Sequence, residues 1–279
     1  MSGRIRLAYM VATSDIMSRD AIGYHASIHD AAQLLKDLGY DGIELTTVNP
    51  ALLDWAEIRT AIEKAGLDVP QVCTGEVFGQ DRLGLADARQ EIREEALKRL
   101  KLIVDFAGEF GALVNIGRAR GHYYPDIPRD RTEQWALDGF RRLSDYAAGR
   151  NVVIALEPIA AHVCNFINST QDGIDWAAKV DHPNFRLMLD VSHMCLEDPQ
   201  PFAESFVKAS GLTMHVHLTE TDRKAPGWGD MDFEAVMSTL RATGYDRYVS
   251  VEVFNIPTQD EAIRQSARFL GPLVYGDRM

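Results

Sequence analysis

The chain has 279 residues, enough to bury one large core, and α/β barrels commonly use this length for a single domain. Hydrophobic residues make up 46% and charged residues 25%, an ordinary soluble balance; the net charge of −12 argues against nucleic acid as a partner, because its binders carry a basic patch. Three cysteines (Cys73, Cys164 and Cys195) form no CxxC pair, which reads as reduced thiols in a cytoplasmic protein, and with no signal-peptide core and no membrane-length apolar run a membrane partner is not expected.

The first apolar strand is expected over residues 5–10. Ser27 can cap a helix over 28–38 that closes at Gly39. A second strand, 42–45, carries Glu44 and is followed by Thr46, Thr47 and Asn49. Asp54 caps a helix that stops at Gly66, and 68–73 is the third strand, leading into Thr74, Gly75 and Glu76. A long helix covers about 86–110, with Ile92, Ala96, Leu100, Ile103, Val104 and Ala107 at helical spacing. Gly111 closes it, and 113–116 is the fourth strand.

Helix 132–148 leads to a fifth strand, 152–156, which ends at Glu157. Thr170 caps a helix to Val180. The sixth strand, 185–189, delivers Asp190, Ser192 and His193 together. A helix over 201–210 separates it from strand 212–218, whose His215 and His217 share one face because strand side chains alternate. Asp232 caps helix 233–242, with Gly244 after it; strand 248–253 holds Glu252, and helix 258–270 is the last.

Eight strand-then-helix units imply a parallel sheet, and that number in about 250 residues fits a closed (β/α)8 TIM barrel. An open doubly wound sheet would show a Gly-rich phosphate turn after its first strand, where this chain reads VATSDIM. No low-complexity segment or Pro/Gly/Ser linker interrupts the chain, so a single domain over 1–279 is expected.

Chemistry in such barrels sits at the carboxyl ends of the strands. Glu157, Asp190, His217 and Glu252 lie there on four successive strands, whose exits crowd around one axis. Acids inside VVIALEP and YVSVEVF are hard to explain as packing, since buried Glu is rare unless paired. Asp190 also suits a helix cap, and alternation does not separate His215 from His217: one is a ligand and the other fills or supports the barrel. Three uncompensated carboxylates would repel each other, and a divalent cation removes that cost. One nitrogen with several oxygens suits Mn²⁺ best, with Mg²⁺ or Co²⁺ as alternatives, better than a structural zinc site. Glu44, Glu76, Asn115, Arg118, Arg120 and His122 fall near the ends of strands two to four and either set specificity or form a solvated rim. Arg118 or Arg120 could hold a substrate carboxylate or phosphate. Trp228, between Gly227 and Gly229, is either a mobile cover or a plain turn aromatic.

LEP at 156–158, LDVSHM at 189–194, HVHLTETDR at 215–223, PGWGDMDF at 226–233 and VSVEVF at 249–254 together resemble the xylose isomerase-like TIM-barrel superfamily. Within it they look most like sugar epimerases and isomerases of the ketose 3-epimerase, hydroxypyruvate isomerase and inosose isomerase type. The resemblance implies that Glu157, Asp190, His217 and Glu252 are the metal ligands, choosing His217 because the family's ligand lies six residues before the arginine matched by Arg223. It makes His193 and Arg223 substrate contacts and Glu157 with Glu252 the acid/base pair. The ketose 3-epimerase branch usually carries a further acid six residues after its LEP glutamate; Val163 stands there in this chain.

The chemistry implied is proton transfer next to a carbonyl of a small sugar or polyol, through an enediolate stabilised by the cation. Return of the proton to the opposite face gives epimerisation, and transfer between adjacent carbons gives aldose–ketose isomerisation. Loss of a β-leaving group would instead make the enzyme a dehydratase or a lyase, including a glycoside-cleaving subunit acting on a keto-sugar or keto-inositol. A metal-dependent nuclease on the same barrel would need further histidines on strands two and three, where Glu44 and Glu76 stand, and an Asp-x-His motif after strand seven, where TETDRKAPGWGD stands. An intact ligand set disfavours a non-catalytic binding module. A homo-oligomer, dimer or tetramer, is expected.

Overall fold

A computed structural model describes residues 4–199 and 203–276. Eight parallel strands close in sequence order into one barrel. They are β1 (Arg6–Ala12), β2 (Gly42–Thr46), β3 (Gln71–Cys73), β4 (Leu113–Ile116), β5 (Ile154–Leu156), β6 (Phe185–Asp190), β7 (Thr213–Leu218) and β8 (Tyr248–Val251). The helices are α1 (Ile28–Asp37), α2 (Trp55–Ala65), α3 (Gly75–Gly79), α4 (Gln90–Gly108), α5 (Arg129–Ala148), α6 (Thr170–Val180), α7 (Val191–Glu197), α8 (Ala203–Ala209), α9 (Phe233–Ala242) and α10 (Gln259–Tyr275). This is the (β/α)8 barrel that the alternation of elements implies. None of the described helices is long and apolar enough to cross a membrane.

Alternation along each strand divides the barrel into two environments. Ile43, Leu45, Val72, Val114, Ile154, Leu187, Val216 and Val249 join one apolar cluster with helix residues such as Leu35, Ile62, Leu100, Phe140 and Ile263. The intervening positions face the axis, and many of them are polar. Glu44 on β2 meets His215 on β7, and Asn115 on β4 meets Met188 on β6; these strands are not neighbours, so the contacts must cross the interior. The interior is therefore a hydrogen-bonded column rather than the usual stack of branched aliphatic side chains.

Local signals set most helix starts. The side chains of Ser27, Asp54, Asp232 and Thr258 each accept a backbone N–H from the first turn of α1, α2, α9 and α10. At α6 the cap is Ser169 rather than Thr170, because Ser169 and Asp172 form a reciprocal capping box. α4 starts later than expected, at Gln90, and α5 earlier, at Arg129 after Pro128. α10 continues past Leu270 to Tyr275. The expected start of the eighth helix at Pro201 lies outside the described residues. α3 and α7 follow directly on β3 and β6; their few residues carry no apolar period to betray them.

Arg120 does not reach substrate space. It is fully buried, and its guanidinium donates to the carbonyls of Gly117, Glu157, Phe166 and Ile167 at 2.7–3.0 Å. It thereby ties the β4 exit to the β5 loop, and its donors are spent on backbone. Replacing Arg120 by Met strands those carbonyls, and urea unfolding should show a loss of about 3 kcal/mol. A loss below about 1 kcal/mol would contradict the clamp.

Candidate active site

Glu157 follows β5, Asp190 ends β6, His217 is the penultimate residue of β7, and Glu252 follows β8. One ligand atom from each lies within 4.8 Å of the others. The strand register sets Asp190 directly beside His217. His217 Nδ1 is 3.4 Å from a Glu252 oxygen, 3.8 Å from Asp190 and 3.9 Å from Glu157. This nitrogen is buried and makes no hydrogen bond. Donors around a single divalent cation, each about 2.0–2.3 Å from it, are spaced in this way, so the four residues fit a metal ion.

The other nitrogen explains the orientation. His217 Nε2 lies 3.0 Å from Glu44 Oε1, while Glu44 Oε2 lies 2.9 Å from His215 Nε2 and Gln71 donates to Glu44 Oε1 at 3.0 Å. Glu44 accepts from Nε2 and leaves Nδ1 free to face the carboxylates, the arrangement by which an outer carboxylate fixes a ligand histidine. Glu44 is therefore not a rim contact for substrate: it is fully buried beneath the cluster, because its position in β2 lies below the strand's exit. Gln71, whose part in this network the sequence did not suggest, closes it from β3.

Burial and crowding act differently on each acid. Burial, then the charge of Glu252, raises the Glu157 carboxyl from 4.5 to about 7. Burial opposes ionisation of Glu252 too, but Arg223 and His217 outweigh it and hold that carboxyl below its usual range. Burial also opposes charge on His217, yet Glu44 and Glu252 keep its pKa well above the ordinary value. For His193 burial wins, pulling it down to about 4, so this imidazole is neutral at pH 7.

Asp190 has two tasks. Its Oδ1 accepts the N–H groups of Ser192 and His193 and caps α7, while its Oδ2 accepts from Arg223 at 2.8 Å. Arg223 also donates to Glu252 at 2.5 Å, and its Nη2 lies 2.7 Å from His193 Nε2. The Arg223 backbone is left-handed, with φ of 63°, a conformation worth about 1–2 kcal/mol of strain in a residue with a Cβ. Glu220 accepts from the N–H groups of Gly227 and Met231 and holds the following loop; the sequence signal was an acid just ahead of a Gly-Trp-Gly turn.

A cavity of about 440 Å³ opens over the cluster. Glu157, Glu252, His193, Arg223 and Arg118 line it. Asp190 and His217 do not; they form the layer beneath. Arg118 pairs with Glu76. Asn115 is buried and donates to Glu157 Oε2 at 2.9 Å, orienting that carboxylate from below. A Cβ on Gly117 would stand 2.8 Å from the same oxygen, so the close approach requires glycine. His122 packs against the Phe78 ring. Trp228 is exposed and absent from the lining, and its backbone N–H is bonded to the Ala225 carbonyl as in a turn.

Comparison with known proteins gives a consistent result. Residues 32–273 match the family model described as xylose isomerase-like TIM barrel. A 3-dehydro-D-guloside 4-epimerase of Escherichia coli is 28% identical over 237 residues, spanning 81% of this chain and 87% of the relative. An L-ribulose 3-epimerase of Methylomonas is 26% identical over 235 residues, covering 84% and 80%. The crystal structure of a 3-keto-D-glucoside 4-epimerase from Escherichia coli superposes with a TM-score of 0.79 at 24% identity, covering 96% of this chain and 99% of that one.

Three outcomes follow from the cluster. Mn²⁺ added to metal-stripped protein should raise its melting temperature, and its affinity should weaken roughly tenfold or more per unit as pH falls below 7, where protons compete for Glu157 and His217; calorimetry showing pH-independent binding between 6 and 8 would contradict this. In the metal-free protein the raised Glu157 pKa favours the fold below 4.5 and loses that contribution as pH climbs through about 7. Glu44→Gln should weaken metal binding roughly ten- to a hundredfold without changing the fold.

Proposed function

This chain belongs to the xylose isomerase-like TIM barrel family, and on that premise we propose that it is a divalent-metal-dependent sugar isomerase or epimerase acting beside a carbonyl. The epimerase relatives support the reaction class. The observation that carries the reading is the division of the four clustered residues: Glu157 and Glu252 reach the cavity, whereas Asp190 and His217 stay beneath it. The two carboxylates can touch substrate carbon; the other two cannot.

A divalent cation held by Glu157, Asp190, His217 and Glu252, with Mn²⁺ best suited to one nitrogen among oxygens, would supply Lewis-acid stabilisation of negative charge on a substrate oxygen. One of the two glutamates takes the proton from the carbon next to the carbonyl. The C–H electron pair becomes a carbon–carbon double bond as the carbonyl oxygen gains charge. The other glutamate, approaching from the exit of a different strand, returns a proton to the opposite face and so inverts the centre. Return by the same glutamate to the neighbouring carbon gives the aldose–ketose pair instead. Arg223 stays protonated and offers its remaining donors to the substrate oxygens, and its Nη2 donates to Nε2 of neutral His193, which places the imidazole proton on Nδ1.

Glu157→Gln and Glu252→Gln should each keep the circular dichroism of the parent and lose on the order of a thousandfold in turnover. The same variants should lose solvent-deuterium uptake at the carbon beside the carbonyl. Near-parental turnover by either one removes the acid/base assignment.

A further inference from the structure

We propose that the substrate is uncharged and carries an apolar-faced group beyond the reacting sugar: a neutral keto-glycoside with an apolar aglycone rather than a sugar phosphate. This rests on the isomerase or epimerase reading and concerns the outer part of the same cavity.

Charge is the first argument. The arginines lining the cavity are Arg118 and Arg223. Arg118 is 2.5 Å from Glu76, and Arg223 is shared between Asp190 and Glu252. Asp20 and Asp222 add further negative charge to the wall, and no lysine lines it among the described residues. A phosphate monoester brings nearly two negative charges and needs free bidentate donors or open backbone amides. The amides of Ser192 and His193 at the start of α7 are taken by Asp190. The lining sets five carboxylates (Asp20, Glu76, Glu157, Asp222 and Glu252) against two arginines, with His162 and His193 as its other basic side chains, so the balance of charge in the wall opposes a phosphate.

Shape and surface are the second. Val163, Leu196 and Phe254 all line the cavity, yet they are 39%, 52% and 39% exposed. They come from the β5 loop, the end of α7 and the segment after β8, so three separate stretches converge on one mouth. Ile159 and Ile22 continue the apolar wall inward. A volume of about 440 Å³ lies in the range that encloses a drug-sized ligand rather than one sugar ring. The reacting sugar fits the polar floor, and an apolar group fits the mouth that is continuous with it.

Deuterium uptake in D₂O by Mn²⁺-loaded enzyme tests this with phenyl and methyl 3-keto-hexosides, a free ketohexose and its 6-phosphate. The phenyl glycoside should exceed the methyl glycoside in kcat/KM by roughly tenfold, and the phosphate should fall below its neutral parent by a similar factor. Leu196→Asp and Val163→Asp should each bring the phenyl-to-methyl ratio towards one, and Glu76→Gln, by freeing Arg118, should raise the phosphate-to-neutral ratio several-fold. Equal or better use of the phosphate, or a phenyl-to-methyl ratio of one in the parent, overturns the proposal. So does a Leu196→Asp variant that dissociates an oligomer in light scattering while the ratio is unchanged, since the mouth would then be a subunit contact. No uptake from any compound, with calorimetry still ranking the phenyl glycoside above the phosphate, would sink the reaction and uphold this inference; failure to bind either glycoside sinks this inference as well.

Discussion

Three crowded carboxylates sharing one imidazole nitrogen is the constraint around which this molecule is arranged. Glu157, Asp190 and Glu252 each bring an oxygen within 4.8 Å of the others, Asp190 buried and the two glutamates at the cavity floor. Left alone, such a group would push the strand exits apart or refuse to ionise. The chain answers with Arg223 across two of the acids, a proton held on His217, and a Glu157 carboxyl that gives up its charge near neutrality. These are the roles a doubly charged cation would take over, which is why proton and metal compete for the same place.

Support for that cluster comes from inside the barrel. His217 is fixed from below by Glu44, Glu44 by His215 and Gln71, and Asn115 props Glu157. Polar side chains on the inner face leave the outer faces of the strands to do the packing against the helices. Removing one partner from such a column leaves a charge without compensation, at a cost of about 3–5 kcal/mol. The fold and the site are therefore held by the same hydrogen bonds.

Much of this was legible in the sequence, because an acid in an otherwise apolar strand is conspicuous and because capping residues announce helices. The strands, the order of the barrel and the acids of the cluster could be read in that way, whereas His217 was chosen over His215 only by the resemblance to a family. What could not be read was direction and depth. Glu44 sits only two residues from the end of β2, yet that is about 7 Å along a strand and separates floor from rim. His215 and His217 differ by the same step, so alternation could not choose between them. Arg120 and Arg118 are likewise two residues apart; one is consumed by four carbonyls and the other reaches the cavity, a division made by loops distant in sequence. Trp228 was a candidate cover only because two glycines flank it.

Asp190 joins two things that are usually separate. One oxygen anchors the first turn of α7 and the other faces the cluster, while Leu196, near the far end of that seven-residue helix, stands at the mouth of the cavity. The helix is short enough that a charged group at one end and an apolar side chain at the other belong to the same few turns of backbone. One short helix therefore has its first turn on the charged cluster and its last at the threshold through which substrate must pass.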